Sequence, residues 1–158
     1  MFGSEHTALV LAIGFGMIAL TIFISVTGIV LWLNLLARHL ESLEHRNKQP
    51  NLFRAILATS IVLVSIHIFQ AFLWALLYLV LPGHSGLEKI SDAFYFSMIT
   101  ITTLGYGDIT LNDQWRLLSG LESMIGIIVF GMSTAMMYAV VQKCWMVKHK
   151  GQFDPSNG

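Results

Sequence analysis

Residues 102–108, with the sequence TTLGYGD, have the types and spacing best suited to chemistry in this chain. Gly105 and Gly107 alternate with larger residues, and glycine adopts backbone angles that other residues resist. That freedom allows consecutive carbonyl groups to face the same way. A row of such carbonyls, with the Thr103 hydroxyl below it, could replace the water shell of a monovalent cation. A Gly-Tyr-Gly pattern also occurs by chance in soluble loops, so the surrounding elements must decide between the two interpretations.

The composition indicates a membrane protein. Of the 158 residues, 55% are hydrophobic and only 11% are charged, and soluble domains carry about 25% charged residues. The net charge is zero and no basic patch with interleaved aromatic residues is present, so nucleic-acid binding has no support. The single cysteine, Cys144, cannot form an intrachain disulfide and is too little for a metal site. We therefore expect neither redox chemistry nor a cofactor.

The first apolar run covers residues 8–36, which is long enough to cross a bilayer, because a spanning helix needs about 20 apolar residues. It lacks the basic start and the cleavage pattern of a signal peptide. We predict an N-terminal transmembrane helix in residues 1–37. Small residues at spacings of three and four predict a face for close helix packing, with chance use of small residues as the alternative. They are Ala8, Ala12, Gly16 and Ala19.

Residues 38–54 differ in composition, because they carry four of the nine Lys and Arg residues together with Leu40 and Leu43 at helical spacing. This pattern predicts a short amphipathic segment at the cytoplasmic membrane surface, interrupted before Pro50. The segment either couples the first helix to the rest of the chain for gating or only connects the two, and we favour the plain connector.

The second apolar run predicts a spanning helix at residues 55–81, with His67 and Gln70 near its middle. We expect these two side chains to be satisfied polar groups in a helix interface. Trp74 and Tyr78 lie towards the far end, where aromatic residues favour the membrane interface. A turn follows at residues 82–86.

The next helix is too short to cross a bilayer. Ser91 and Asp92 suit a helix start, because short polar side chains accept a bond from a free backbone N–H. Only residues 92–102 then precede the glycines, so we predict a re-entrant half-helix followed by an irregular segment at residues 103–108. Trp115 suits an outer interfacial anchor before a third span at residues 116–142, and residues 144–158 form a short tail.

Residues 91–96 and 101–108, with the sequences SDAFYF and ITTLGYGD, resemble the pore helix and selectivity filter of voltage-gated and small bacterial potassium channels. The resemblance covers residues 55–143, leaves out the first helix, and has Leu104 where valine is commoner. It implies an all-α membrane protein: three transmembrane helices, a re-entrant pore helix and a filter loop in a homotetramer. The implied K+ ligands are the carbonyls of Thr103, Leu104, Gly105 and Tyr106 and the Thr103 hydroxyl, with Gly107 completing the filter.

The same resemblance implies roles around the filter. The ring of Tyr106 would point away from the pore and brace the filter against Tyr95 and Phe96. Asp108 would form a ring of charge at the outer mouth, with an ordinary turn residue as the alternative. Gly126 would be the gating hinge of the inner helix, with helix packing as the alternative. One face of that helix would line the water-filled cavity: Ile127, Gly131, Thr134, Tyr138 and Gln142.

Glu122 lies within the third span with no basic residue near it in sequence. A carboxylate in a membrane helix is costly, which makes it a functional candidate. We expect it to face Ser97 or Thr100 and to support the filter from behind, with His67 a less favoured partner. The alternative is a snorkelling or protonated glutamate that faces other protein.

The charge distribution predicts the topology without any motif. Seven of the nine Lys and Arg residues fall in the 38–54 segment and after residue 142, and two fall elsewhere. Basic loops stay in the cytoplasm. We therefore expect the N-terminus and the 103–108 loop on the outer side of the cell membrane and the C-terminus in the cytoplasm. We predict a passive potassium-selective channel subunit and not an enzyme, working as a homotetramer in lipid. The alternative is a non-conducting regulatory subunit of a larger channel or transporter.

Overall fold

The computed structural model describes residues 4–46, 51–81 and 86–149, and every regular element in this part of the chain is an α-helix. Three of the four helices are long and apolar enough to cross a membrane. The predicted fold class, an all-α membrane protein with three spanning helices, is confirmed. The helices are α1 (Ser4–His45), α2 (Leu52–Val80), α3 (Ile90–Ile101) and α4 (Arg116–His149).

The long helices extend further than their apolar runs. Helix α1 continues to His45, so residues 38–45 of the predicted separate amphipathic segment belong to the first helix. No glycine or proline interrupts that stretch, and a helix continues until its hydrogen bonding is broken. Helix α2 begins at Leu52, where the Asn51 side chain accepts the Arg54 N–H at 3.2 Å. Helix α4 continues through residues 143–149 for the same reason as α1, while residues 47–50 and 150–158 lie outside the described residues.

The start of α3 differs from the prediction. Lys89, with an extended backbone, is the N-cap, and no side chain caps the helix. Ser91 donates a hydrogen bond to the neighbouring Asp92 carboxylate at 3.2 Å instead of receiving a backbone N–H. The predicted cap at Ser91 and Asp92 is therefore wrong, because both residues are already inside the first turn. Asp92 still favours this end of the helix through its charge.

The helical residues form two compact units, each with its own core. The first unit comprises Met1–Ser25 and Ile66–Gly131. Trp74, Tyr78 and Trp115 are buried in its core. The predicted positions of these three side chains in the membrane interface are therefore wrong. Trp74 and Tyr78 turn inward because each finds a polar partner there: the Trp74 indole N–H donates to Thr21 Oγ1 at 3.2 Å, and Tyr78 donates to Glu122.

The second unit comprises Val26–Ser65 and Met132–Gly158. Its core is small and consists of Leu36, Leu40, Val140 and Cys144. The Trp32 indole N–H donates to Thr59 Oγ1 at 3.0 Å, which ties α1 to α2 in this unit.

The face of α1 that packs in the first unit is not the predicted one. Val10, Gly14 and Thr21 are buried, and Gly14 lies so close to Leu118 and Leu121 that a side chain there would collide with Leu121. The predicted small-residue face is exposed along its whole length: Ala8, Ala12, Gly16 and Ala19. Helix α1 therefore comes closest to α4 at Gly14, which lies on the opposite face of α1 from the predicted small residues.

Candidate functional site: the pore loop

The backbone of the loop after α3 alternates in handedness. Helix α3 ends at Ile101, and its C-cap, Thr102, keeps helical angles. Three residues then have positive φ: Thr103 at 60°, Gly105 at 51° and Gly107 at 77°. A positive φ is uncommon for any residue other than glycine, and here it occurs at every second position. Residues of alternating handedness turn successive peptide planes the same way, which a uniform strand does not do.

The start of the loop is held against the end of α3. The Thr103 N–H donates to the Thr100 carbonyl at 2.9 Å, and the Gly105 N–H donates to the Ile99 carbonyl at 2.9 Å. These bonds satisfy carbonyls that a helix end leaves free. Residues 102–108 are all exposed in the single chain. The loop is thus anchored on one side and open on the other.

Asp108 is tied back to the short helix. Tyr95 donates its hydroxyl to Asp108 Oδ2 at 2.9 Å, and this hydrogen bond raises the pKa of Tyr95 above its usual 10.0. Tyr95 lies outside the membrane-spanning segments. Phe96 instead packs its ring edge-on against Tyr78, with centroids 5.3 Å apart. Tyr106 is 68% exposed, so its bracing contact with Tyr95 and Phe96 stays a prediction.

Glu122 is fully buried and accepts two short hydrogen bonds. Ser97 donates to Oε1 and Tyr78 donates to Oε2, each at 2.5 Å. The expected proximity of Glu122 to Ser97 is found, whereas Thr100 uses its carbonyl to accept a bond from Ser123 at 3.0 Å. The carboxylate therefore joins α2, α3 and α4, and its role in supporting the filter stays a prediction.

Tyr78 is the partner of Glu122 that the sequence reasoning missed. A signal was present, because Gln70, Trp74 and Tyr78 recur every four residues and so share one face of α2. All three are buried and bonded. Gln70 donates to the Thr21 carbonyl at 3.1 Å and to Ser25 at 2.6 Å.

His67 does not partner Glu122. Its Nδ1 lies 3.2 Å from the Gln70 side-chain oxygen, and its ring packs at a tilt of 39° against Phe130 with centroids 4.5 Å apart. The interpretation of His67 and Gln70 as satisfied polar groups in a helix interface is confirmed.

Gly126 lies against the end of α3. A Cβ atom at this position would collide with the Ile101 carbonyl, whereas at Gly131 it would meet open space. Packing therefore gives Gly126 a reason to be glycine, and the hinge function stays a prediction. The predicted cavity-lining side chains are all exposed in the single chain: Ile127, Gly131, Thr134, Tyr138 and Gln142.

A comparison with protein families identifies the class. The family described as "Ion channel" matches residues 56–143, more than half of the chain, including α3 and the loop. The chain belongs to the ion channel family. This membership indicates that it is not an enzyme.

Two curated relatives share part of this region. The chain is 43% identical over 54 residues to potassium channel subfamily K member 4 of Rattus norvegicus and to the protein of the same name of Mus musculus. The match covers 34% of this chain and 14% of each relative, so this ion channel spans only a small part of their length. No solved structure matches the chain at comparable significance.

Proposed function

We propose that the chain is the pore subunit of a potassium-selective channel whose ion sites are the carbonyls of Thr103, Leu104, Gly105 and Tyr106. The observation that carries the proposal is the alternating handedness at Thr103, Gly105 and Gly107. This backbone lets successive carbonyls face one side, and a ring of such carbonyls replaces the hydration shell of K+. The partial likeness to chains named potassium channels supports K+ as the permeating ion.

The open side of the loop favours a tetramer. Residues 102–108 are exposed in the single chain, and irregular backbone at membrane depth requires surrounding protein or water. A single loop also supplies only part of a carbonyl ring, which four loops complete in the K+ channel arrangement. Four copies of this chain around one axis would cover the loop and close the ring. The chain would then act as a homotetramer.

The remaining residues have roles along the proposed ion path. Asp108 concentrates cations at the outer mouth, and Tyr95 holds its carboxylate in place. The C-terminal end of α3 points its dipole towards the site of the ion. Thr134 and its neighbours on α4 line the wider cavity on the inner side. Permeation is passive and follows the electrochemical gradient.

Flux through reconstituted vesicles tests the proposal. The full chain, purified and incorporated into vesicles, should carry K+ in strong preference to Na+, with single-channel steps in planar bilayers. In the Gly105→Ala variant an L-residue must adopt a left-handed conformation, which costs about 1–2 kcal/mol in each copy. That variant should lose selectivity or conduction.

The matched control is Gly16→Ala, because a methyl group at Gly16 meets open space. It should keep wild-type flux. An assembled wild-type protein that carries no K+ under any condition would reject the channel and support the regulatory subunit. Selective flux from a protein that is not tetrameric would reject only the assembly.

A further inference from the structure

A cavity of about 620 Å³ lies in the second unit, between the last turns of α1 and the first turns of α2. The α1 residues that line it recur at spacings of three and four, so they form one face of that helix. The α2 residues do the same. The lining residues include Trp32, Leu35, Leu36, His39, Arg54 and Ala58.

The cavity is apolar along most of its length. Leucines line the α1 side, and on the α2 side Ala55 and Ala58 present only methyl groups, which leaves the gap between the helices unfilled. Trp32 forms a fixed wall because its indole N–H donates to Thr59 Oγ1 at 3.0 Å. Cavities of this volume and character are typical of small-molecule sites.

The polar lining includes one cationic side chain, that of Arg54. Arg54 and His39 are exposed, and no acidic residue lines the cavity among the described residues. In the described part of the chain, the ion pair joins Arg116 to Asp113. No described carboxylate lies within ion-pair distance of Arg54. Asn51 is occupied by the Arg54 backbone N–H. Among the described residues no carboxylate competes for the guanidinium, whose planar donor fork suits a phosphate.

We propose that this cavity binds one anionic phospholipid, with an acyl chain along Leu35, Leu36 and Ala58 and the phosphate at Arg54 and His39. An apolar slot that ends at an arginine matches the two ends of such a lipid. The basic residues of this region also predict that it lies at the cytoplasmic leaflet, where anionic lipids are concentrated. The site requires only that the chain lie in a membrane, so it does not depend on ion permeation.

Native mass spectrometry of the purified full chain can count bound lipid. The probes are phosphatidylglycerol and phosphatidylcholine with identical acyl chains. The wild-type protein should retain phosphatidylglycerol in preference to phosphatidylcholine. Arg54→Gln should reduce retention of phosphatidylglycerol about tenfold, because a direct phosphate contact is stronger than diffuse attraction to a charged surface.

Two matched controls separate a built site from general attraction. Arg38→Gln removes the same charge from an exposed residue that does not line the cavity, and it should change retention far less than Arg54→Gln. Ala58→Leu fills the slot and should displace lipid of either headgroup. Ala19→Leu adds the same bulk at an exposed position of α1 outside the cavity and should not displace it.

Three outcomes would overturn the proposal. The first is an equal loss of phosphatidylglycerol in Arg54→Gln and Arg38→Gln, which would mean diffuse attraction. The second is full lipid retention in Ala58→Leu. The third is a wild-type oligomer that retains no lipid and that Ala58→Leu dissociates, which would assign the cavity to a second copy of the chain. The same spectra report the oligomer mass in every case.

Discussion

The buried carboxylate of Glu122 links three helices behind the proposed ion pathway. Burying a carboxylate in a membrane span is costly unless polar groups compensate for the lost water. Each of its oxygens accepts a hydrogen bond from a hydroxyl group, one from Ser97 on α3 and one from Tyr78 on α2. The side chain therefore connects α3, the helix that carries the loop, to α2 and α4.

Truncation of Glu122 should destabilise the protein and impair conduction. Glu122→Ala leaves two buried hydroxyls without an acceptor, at a cost of about 1–3 kcal/mol for each. Glu122→Gln keeps one acceptor oxygen and should be less severe. Thermal unfolding and vesicle K+ flux measure both effects. Glu41→Ala, at an exposed position, is the control and should change neither. Wild-type flux and unfolding in both Glu122 variants would refute the role.

At this scale the sequence predicted the chemistry better than the contacts. The alternating glycines predicted the site of the unusual backbone, and the depth of Glu122 in α4, level with the short helix α3, predicted Ser97 or Thr100 as its partner. Tyr78 was assigned to the membrane interface because it lies near the end of a span, where aromatic residues are common. Helix α2 is apolar on all sides, so hydropathy does not indicate which of its faces points inward. The rotation of such a helix is set by its hydrogen bonds, which involve residues distant in sequence.

Among the elements, α4 contacts the end of α3 through two residues that lie one helical turn apart. Ser123 donates to the Thr100 carbonyl, and Gly126 lies directly against the Ile101 carbonyl. Both contacts are to the last turn of α3, immediately before the loop. A displacement of α4 would therefore act directly on the backbone of α3 just before the loop.

Gly126 and Gly131 provide a matched pair of substitutions on one helix. Gly126→Ala places a methyl group on the Ile101 backbone and should destabilise the protein by about 1–3 kcal/mol, the usual cost of overpacking. Gly131→Ala meets open space and should be neutral or stabilising, by up to about 1 kcal/mol from helix propensity. Thermal unfolding measures both. Equal stability of the two variants would show that packing does not require the glycine at 126.

The existence of the helices followed from the sequence, but their ends did not. Runs of apolar residues longer than a bilayer predicted the three spans, and an eleven-residue remainder predicted a short fourth helix. Residues 38–45 look amphipathic because their surroundings change from lipid to water, although the helix itself does not stop. Composition reports the surroundings of a helix, and hydrogen bonding determines its end.

For the whole molecule, the charge asymmetry predicts how the chain is inserted. Single cysteines introduced in a Cys144→Ala background test this orientation. The native Cys144 is the one cysteine of the sequence and is buried, so its replacement leaves the introduced thiol as the site of labelling. In intact cells, a membrane-impermeant maleimide should label Ser91→Cys, and it should label Arg46→Cys only after permeabilisation. Both positions are exposed in the structure, so accessibility alone would not separate them. The reverse pattern would place the loop on the cytoplasmic side.

The burial of the aromatic residues also gives the molecule two natural optical reporters. Trp74 and Trp115 belong to the first unit and are inaccessible, while Trp32 and the 56% exposed Trp145 belong to the second. We expect a quencher dissolved in lipid to reach the second pair in preference to the first. Intrinsic fluorescence therefore distinguishes events at the proposed lipid site from events around the pore loop, with no label attached to the protein.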